Sequence, residues 1–217
     1  MTGQYDLHTH SILSDGEMLP IELIRRMAVL GYSAVAITDH VDTSNAVPVI
    51  ETLKLVRESA QLFGVRLLCG VEITHVPPQQ IASLARQAKK AGADIVVIHG
   101  ETPVEPVAAG TNHAACSCKE VNVLAHPGLI TIEDALLAAK NGIGLELTSR
   151  GGHNRTNGHV ARIAREAACR LVVNSDAHAP GDLLDERAKY IVAKGSGLTE
   201  AECREVISLN IDQFLIS

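Results

Sequence analysis

The sequence predicts an α/β fold in which parallel strands alternate with helices and close into a single barrel. Short aliphatic runs alternate with longer amphipathic segments along the chain, which is typical of βαβ units. Hydrophobic residues make up 46% of the chain, whereas aromatic residues make up 2% and Trp is absent. The core is therefore aliphatic, as in parallel sheets covered by helices. A potential ligand follows each predicted strand, and only a closed sheet brings all of these side chains together.

Seven strands are predicted in alternation with helices. We place the strands at residues 4–7, 33–38, 66–73, 94–98, 121–124, 142–147 and 171–174. We place the helices at residues 20–30, 46–63, 78–91, 132–140, 157–168, 183–194 and 200–210. Such an alternation is compatible with an open, doubly wound sheet as well as with a barrel.

Residues with known preferences for helix ends support these boundaries. Pro20 suits a first helical position, and Gly64 and Gly92 lie where two helices should end. Thr131 and Thr199 each precede acidic residues, as N-cap residues do. These residues support one end of five of the seven predicted helices.

Residues 101–117 are the least regular part of the sequence, and we predict a long loop there over one end of the fold. The sequence shows no linker, composition break or low-complexity segment. A chain of 217 residues also suits one domain. Residues 1–217 are therefore predicted to form a single domain.

Composition limits the classes of partner. The formal net charge is −6 and the isoelectric point is near 5.9. No basic stripe is present, and three Tyr and two Phe supply little surface for base stacking. Long nucleic acids are poor candidates, whereas a small anionic substrate is compatible because bound cations reverse the local field. The oligomeric state stays open.

Cysteine usage and the first residues predict a cytoplasmic protein without a membrane span. Five Cys are present, an odd number without the spacing of a disulfide framework. Cys116 and Cys118 lack a matching second pair, so they are a weak metal-binding signal. Asp6, His8 and His10 lie where a signal peptide would need apolar residues.

Potential metal ligands lie at the end of every predicted strand. In chain order these residues are His8 and His10, His40, Glu72, His99, His126, Glu146, and Asp176 with His178. Function in parallel β/α folds lies at the carboxyl ends of the strands. A single His beside a strand is usually a hydrogen-bonded polar residue, but five strand ends with His require another explanation. Imidazoles and carboxylates without thiolates favour Zn, Mn or Fe.

The spacing of these ligands favours closure of the sheet. His8 and His10 are two residues apart, so both point to the same face of an extended strand. Asp176 and His178 repeat this spacing at the other end of the chain. A barrel joins the first and last strands and so joins the two pairs, whereas an open sheet would separate them.

Several motifs together resemble the polymerase and histidinol phosphatase (PHP) superfamily, in the same order along the chain. They are DLHTHS from Asp6, SDG from Ser14, ITDH from Ile37, GVE from Gly70, His99, AHP from Ala125 and SDAH from Ser175. The resemblance implies a distorted (β/α)7 barrel with a metal site at the C-terminal ends of the strands. Such barrels hold up to three metal ions and mostly hydrolyse phosphate esters.

The resemblance also implies which residues bind each ion. The first ion would be bound by His8, His10, Glu72 and Asp176. The second would be bound by Glu72, His99 and His126, with Glu72 bridging both ions. The third would be bound by Asp15, His40 and His178. Some family members have His where this chain has Asp15, a hard ligand that would either weaken this site or shift its preference toward Mn or Mg.

Three further acidic residues lie near these motifs. Asp6 is predicted to share a face with His8 and His10 but to lie deeper, where it would orient the ligands. Glu146 has no place in the motif scheme, and three roles stay open for it: orienting a ligand, contacting substrate and carrying a proton. Asp39 should point away from the metal face and cap a helix or contact a loop.

A Gly-rich loop after the sixth strand is predicted to bind substrate. Arg150 and Arg155 in this loop could hold a phosphate through paired hydrogen bonds, although a solvated loop is the alternative. His75, His113 and His159 have no clear partner in the sequence. We predict a structural or surface role for these three residues.

These features predict a phosphoesterase that requires two or three divalent ions. Its substrate would be a small phosphate ester, with a phosphomonoester such as histidinol phosphate or a nucleotide favoured. A metal-activated hydroxide would attack phosphorus, with Glu72 bridging the ions and His178 as a candidate proton donor. An amidohydrolase-like C–N hydrolase and a non-catalytic PHP module in a larger assembly are the alternatives.

Overall fold

The computed structural model describes residues 3–216. Its strands are β1 (Gln4–Asp6), β2 (Tyr32–Ile37), β3 (His40–Val41), β4 (Arg66–Ile73), β5 (Ile95–His99), β6 (Val123–Ala125), β7 (Gly144–Thr148) and β8 (Leu171–Asn174). Its α-helices are α1 (Pro20–Val29), α2 (Ala46–Lys54), α3 (Arg57–Leu62), α4 (Pro78–Ala91), α5 (Thr111–Cys116), α6 (Ile132–Lys140), α7 (Asn157–Glu166), α8 (Glu186–Gly195), α9 (Glu200–Ile207) and α10 (Ile211–Ile216). Short 3-10 helices cover His153–Thr156 and Pro180–Asp182.

The strands form one parallel sheet in the order β1-β2-β4-β5-β6-β7-β8, with β3 paired to β4. Hydrogen bonds just beyond β1 and β8 join the two ends of this order. The Asp176 N–H donates to the His8 carbonyl at 3.0 Å, and the His10 N–H donates to the Ala177 carbonyl at 2.9 Å. The predicted seven-stranded α/β barrel is therefore confirmed.

The second strand of the barrel is interrupted rather than continuous. Ile37 of β2 pairs with Cys69, and His40 of β3 pairs with Glu72, so both pieces follow β4 in the same register. The Glu72 N–H also donates to the Asp39 carbonyl at 3.0 Å. The strand predicted at residues 33–38 thus extends past a short break and carries His40 to the rim of the barrel.

Two apolar layers fill the fold. One lies between the helices and the sheet, and includes Val35, Ile37, Val96 and Ile98. The other includes Ala34, Ala36, Ile95 and Val97, the alternate residues of the same strands, and so lies inside the barrel. These side chains are aliphatic, as the composition predicts. Ile211 and Phe214 of α10 belong to the inner layer.

Two predicted helices and one predicted loop differ from the structure. The helix predicted at residues 46–63 is divided into α2 and α3, because Leu55 and Val56 donate to carbonyls three residues earlier and tighten the turn. The predicted loop at residues 101–117 contains α5, which is too short to show a periodic pattern. The helix predicted at residues 200–210 ends at Ile207, and α10 follows it.

Several helix ends follow their sequence signals. The Thr131 side chain accepts a hydrogen bond from the Asp134 N–H at 3.1 Å, and the Thr199 side chain accepts one from Glu202. Pro20 occupies a first helical position. Within residues 3–216, no helix combines the length and apolar character needed to cross a bilayer.

Candidate metal centre

Alternation along the strands directs polar side chains to the mouth of the barrel. On β5, Ile95 and Val97 face the interior, so His99 at the end of the strand does as well. Glu72 follows Leu68 with the same two-residue period on β4. The inner face is therefore apolar at the bottom of the barrel and carries ligand-type side chains at the top.

The buried carboxylate of Glu72 lies at the middle of this group. Its Oε1 is 3.3 Å from His8 Nε2 and 3.7 Å from His126 Nε2. Its Oε2 is 3.6 Å from His10 Nε2 and 2.8 Å from His40 Nδ1. One carboxylate thus faces four imidazoles from three segments of the chain.

Asp176 adds a second carboxylate from the opposite end of the chain. Its Oδ1 is 3.6 Å from His8 Nε2 and 3.3 Å from His10 Nε2, and its Oδ2 is 3.7 Å from His126 Nε2. Asp176 has a φ of 53° and His126 a φ of 26°, conformations that non-glycine residues adopt rarely. Both side chains reach the centre from strained backbone, which is common at functional sites.

A third group surrounds Asp15, which is more exposed than the others. Its Oδ1 lies 3.3 Å from His178 Nε2, 3.6 Å from His40 Nε2 and 3.9 Å from His10 Nδ1. The loop that carries Asp15 is held by buried Asp39, whose carboxylate accepts hydrogen bonds from the Ser11 N–H and hydroxyl and from the Ser14 hydroxyl, each at 2.7 Å. Asp39 therefore makes a loop contact, one of its two predicted roles.

The structure brings the predicted ligands together in the predicted groups. Ligand atoms lie within 4.8 Å of one another in the sets His8, His10 and Glu72; Glu72, His99 and His126; and His10, Asp15, His40 and His178. Asp176 joins the first of these sets through its contacts with His8 and His10. Binding of metal by these residues remains a prediction.

Several buried polar atoms at the centre lack hydrogen-bond partners, and a bound cation would provide the partner that they lack. Among the described residues, most buried side-chain nitrogen and oxygen atoms without a hydrogen-bond partner belong to this cluster. They include both ring nitrogens of His10, both carboxylate oxygens of Glu72 and the Nε2 of His8. Buried polar atoms are normally satisfied, and divalent ions such as Zn²⁺ bind imidazole nitrogens and carboxylate oxygens.

Electrostatics point the same way. Burial opposes the charge of Glu72, but the His8, His40 and His99 imidazoles hold its pKa well below the usual range. Burial lowers the pKa of His10 and of His126. An ionised Glu72 and the neutral imidazoles of His10 and His126 are the forms that bind metal ions. Burial opposes the charge of His8 and His40 as well, but nearby carboxylates, Glu146 beside His8 and Glu72 beside both, raise the pKa of each ring, so a bound ion would have to displace a proton there.

Glu146 of β7, whose role the sequence left open, contacts two of the segments that carry proposed ligands. Its Oε1 is 2.8 Å from His8 Nδ1 and accepts a hydrogen bond from Asn174 Nδ2, while its Oε2 accepts one from the His126 N–H at 3.0 Å. Carboxylates in this position fix the orientation of a metal-ligating His and raise its basicity. The geometry therefore favours ligand orientation among the three roles.

Asp6 differs from its predicted placement. Regular β1 pairing ends at Asp6, so the alternation does not continue to His8. The residues on either side of Asp6, Tyr5 and Leu7, belong to the inner layer, so the Asp6 side chain lies on the opposite side of the chain. Its carboxylate accepts hydrogen bonds from the backbone N–H groups of His8 and Ser175. Buried Lys189 of α8 bonds to the Tyr5 carbonyl and attracts the Asp6 carboxylate. Asp6 thus joins the first and last strands through backbone rather than through ligand side chains.

The two Arg residues predicted to bind substrate occupy different environments. Arg150 Nη1 lies 3.3 Å from Asp182 Oδ2, and this carboxylate also accepts hydrogen bonds from the His178 and Ala179 N–H groups. Arg155 is exposed on the short 3-10 helix. The sequence did not indicate the Arg150–Asp182 contact, since Asp182 belongs to another loop.

Three residues beside the centre were not predicted to belong to it. Glu105, from the loop after β5, lies 3.1 Å from His99, and it also contacts His75 and His153. His75 lies three residues after Glu72, but neither it nor Glu105 belongs to a recognised motif, so the motifs did not identify them. His113 bonds to Asp134 at 2.7 Å and His159 bonds to the Ile130 carbonyl, in keeping with their predicted structural or surface roles.

Comparisons with known proteins agree with this geometry. The PHP domain family matches residues 6–198. An uncharacterized protein of Methanocaldococcus jannaschii is 46% identical over 206 residues, which cover 94% of this chain and 94% of that protein. A probable phosphatase of Caldanaerobacter subterraneus subsp. tengcongensis is 33% identical over 193 residues, covering 80% of this chain and 75% of that protein. A chain in the cryo-EM structure of archaeal ribonuclease P with mature tRNA superimposes with a TM-score of 0.72 at 16% identity, covering 98% of this chain and 90% of that one.

The fold and the ligand groups define a β/α-barrel protein with a His- and carboxylate-rich centre at the strand ends. The chain belongs to the PHP domain family. The family resemblance that the sequence motifs indicated is thereby confirmed.

Proposed function

We propose that this protein is a metal-dependent phosphoesterase that hydrolyses a small phosphate ester. The observation that carries the proposal is the convergence of three ligand groups at the barrel mouth, with Glu72 shared by two of them and His10 shared by two. The similarity to a probable phosphatase over most of the chain supports the same reaction class.

In this proposal two or three divalent ions, Zn, Mn or Fe, are held by the groups that the sequence motifs indicated. His8, His10, Glu72 and Asp176 hold one ion, Glu72, His99 and His126 a second, and Asp15, His40 and His178 a third. Bound divalent ions supply Lewis-acid stabilisation and lower the pKa of water. The exposed carboxylate of Asp15 makes its group the one best suited to Mg or Mn.

The protein's own residues position these groups and move a proton. Glu146 fixes the ring of His8, and Asp39 fixes the loop that carries Asp15. His178 lies at the rim, with Nδ1 2.9 Å from the Asp176 carbonyl. If Nδ1 donates to that carbonyl, Nε2 is the atom available to an ion or to the leaving group. His178 would therefore use Nε2 either to bind the third ion or to transfer a proton to the leaving group.

Substrate recognition is proposed at the same rim. Arg150 lies beside Ser149, Gly151 and Ser175 around a cavity between the loops that follow β7 and β8, next to the ligand-bearing rim. Its guanidinium would donate two parallel hydrogen bonds to non-bridging oxygens of a terminal phosphate. This contact favours a small phosphomonoester such as histidinol phosphate or a nucleotide. Arg155, exposed on the same loop, is the weaker candidate for this contact.

A non-catalytic module is the second candidate, because a chain of archaeal ribonuclease P shares this fold. The intact ligand groups and the unpaired atoms of Glu72 and His10 favour catalysis instead, since a purely structural role would not require them. An amidohydrolase-like C–N hydrolase would use similar ligands, so the substrate must be tested directly.

The decisive experiment is metal analysis of the purified protein followed by a panel of phosphomonoesters, phosphodiesters and amides. We expect bound transition metal and hydrolysis of phosphomonoesters in preference to diesters. Amide cleavage without phosphatase activity would favour the C–N hydrolase. A metal-loaded protein that is inactive on the whole panel would favour the non-catalytic module.

A further inference from the structure

Beside the ligand groups, the Glu105 carboxylate lies among three imidazoles on the outer side of His99. Its Oε2 is 3.1 Å from His99 Nε2 and 3.3 Å from His75 Nε2, and its Oε1 is 3.3 Å from His153 Nε2. Two ligand atoms bound to one ion through bonds of about 2.0–2.2 Å lie about 3–3.5 Å apart. The spacing of Glu105 from His75 and His99 therefore suits a shared cation.

His99 belongs to two ligand groups that differ in exposure. The inner group, with Glu72 and His126, is buried. The outer group, with His75 and Glu105, reaches solvent, since the side chain of His75 is 45% exposed and that of Glu105 is 37% exposed. A neutral imidazole carries a proton on one ring nitrogen and offers a lone pair on the other, so His99 can serve the outer position or the inner one, but not both together.

The loop that carries Glu105 is fixed at its base and near its tip. The Glu101 carboxylate accepts hydrogen bonds from the Gly110 and Asn112 N–H groups at 3.0 and 2.9 Å. Near the tip of the loop, the Val104 side chain packs against Gly152, the residue before His153. A Cβ added at Gly152 would lie 3.4 Å from Val104. Glu105 is thus presented to His75 and His99 by a held loop rather than by a free chain.

We propose that His75 and Glu105, together with His99, form an outer divalent-metal site through which ions pass to the buried inner group. The proposal rests on the metal cluster of the proposed function. An ion bound at the outer site exchanges part of its water for these three ligands before His99 passes it inward. His153 contacts the other oxygen of Glu105 and keeps the carboxylate directed toward His75 and His99. The outer site is occupied during uptake and does not add a permanent ion.

The test is the rate of metal uptake by the full chain after chelation and verification that it is metal-free. Zn²⁺ is supplied from a coloured indicator in a stopped-flow instrument, and the bound Zn²⁺ is counted after equilibration. The rate of uptake should follow the occupancy of the outer site, and even a residue that only orients a ligand contributes about tenfold or more to metal affinity. We therefore expect Glu105→Gln and His75→Gln each to slow uptake by about tenfold or more. Their final Zn²⁺ content should equal that of the wild type.

His113→Gln is the matched control, because it removes a His–carboxylate contact, with Asp134, outside the cluster. It should load at the wild-type rate. Unchanged uptake in both Glu105→Gln and His75→Gln would overturn the outer site. Loss of one bound ion in these variants would make them permanent ligands and would also overturn it. A wild-type protein that binds no Zn²⁺ would refute the cluster itself, whereas normal loading without hydrolysis would leave the outer site standing.

Discussion

At the scale of single residues, the proposed ligands differ from other polar residues because one side chain can belong to more than one ligand group. Glu72 contacts four imidazoles at 2.8–3.7 Å, although neither of its buried oxygens forms a hydrogen bond of normal geometry with them. His159 of α7, which is half-buried, instead makes ordinary hydrogen bonds with the Ile130 carbonyl and with Arg162. The effect of a substitution should therefore depend on how many ligand groups the side chain serves.

Glu72→Ala should be among the most damaging substitutions for activity. A bound metal contributes several kcal/mol to transition-state stabilisation, so loss of the shared carboxylate should lower kcat/KM by about a hundredfold or more. Steady-state kinetics and metal analysis of the purified variant would measure this. His159→Ala is the control and should keep near-normal kcat/KM. Equal losses in the two folded variants would contradict the central place of Glu72.

Glu146→Gln tests ligand orientation without changing size. The amide can keep one contact with His8 Nδ1 or with the His126 N–H, but it removes the charge that strengthens both. Metal affinity should fall by about 10–100-fold, as for other residues that orient ligands. Competition with a chelator of known affinity would measure this change. Wild-type affinity would argue against orientation and return Glu146 to a substrate or proton-transfer role.

At the scale of elements, the loops after the strands hold one another in place. Asp182, at the end of a 3-10 helix, accepts hydrogen bonds from the His178 and Ala179 N–H groups and contacts Arg150 from the loop after β7. Arg150 could therefore act on substrate, on the position of His178, or on both. The two roles predict different kinetics.

Arg150→Lys should lower kcat/KM for phosphomonoesters while the protein keeps its metals. Loss of a charge-assisted hydrogen bond costs about 1.5–3 kcal/mol, which corresponds to about a ten- to hundredfold decrease or more. Asp182→Asn is the comparison, because it weakens the Arg150 contact without removing the guanidinium. Direct phosphate binding predicts that only Arg150→Lys raises KM. Equal effects of both variants on kcat would assign Arg150 to positioning of His178.

Helix α10 should contribute to stability from the end of the barrel away from the ligands. Phe214 is 3% exposed within the inner layer, whereas Ile216 on the same helix is 87% exposed. Phe214→Ala should lower the free energy of unfolding by about 3–5 kcal/mol. Ile216→Ala should change it by less than about 0.5 kcal/mol. Urea unfolding of both variants would measure the difference. Similar free energies of unfolding would show that α10 does not stabilise this end of the barrel.

At the scale of the whole molecule, the metal centre and the closure of the barrel involve the same residues. The backbone of His8 and His10 bonds to Asp176 and Ala177, and the side chains of three of these residues belong to the proposed centre. Metal ions bound there would connect the first and last strands of the chain. Folding and metal binding should therefore be linked.

Chelation should lower the melting temperature as well as abolish hydrolysis. A ligand present at about one hundred times its Kd stabilises the native state by about 2.7 kcal/mol, which corresponds to a shift of about 5–11 °C in a chain of this size. Calorimetry of verified metal-free and reloaded protein would measure the shift. Full activity of the metal-free protein would refute the proposed function, and an unchanged melting temperature would separate metal binding from barrel closure.

Much of this site follows from local sequence. The two-residue spacing of His8 and His10, and the position of Glu72 and His99 at the ends of aliphatic runs, predicted which side chains would meet at one rim. Glu105 and Asp182 could not be found in this way. Each lies in a loop or short helix, and its partners are distant in the sequence, so neither periodicity nor motif spacing identifies it.

The α/β class, the succession of strands along the chain and the polar residues at their ends follow from the amino-acid sequence, because aliphatic runs and their polar termini are local properties. The division of the second strand, the presence of α10 in the inner layer and the side of β1 on which Asp6 lies are visible in the folded structure alone. So are the partners of Arg150 and Glu105. These features depend on hydrogen bonds and packing between segments far apart in the chain, which local preferences do not specify.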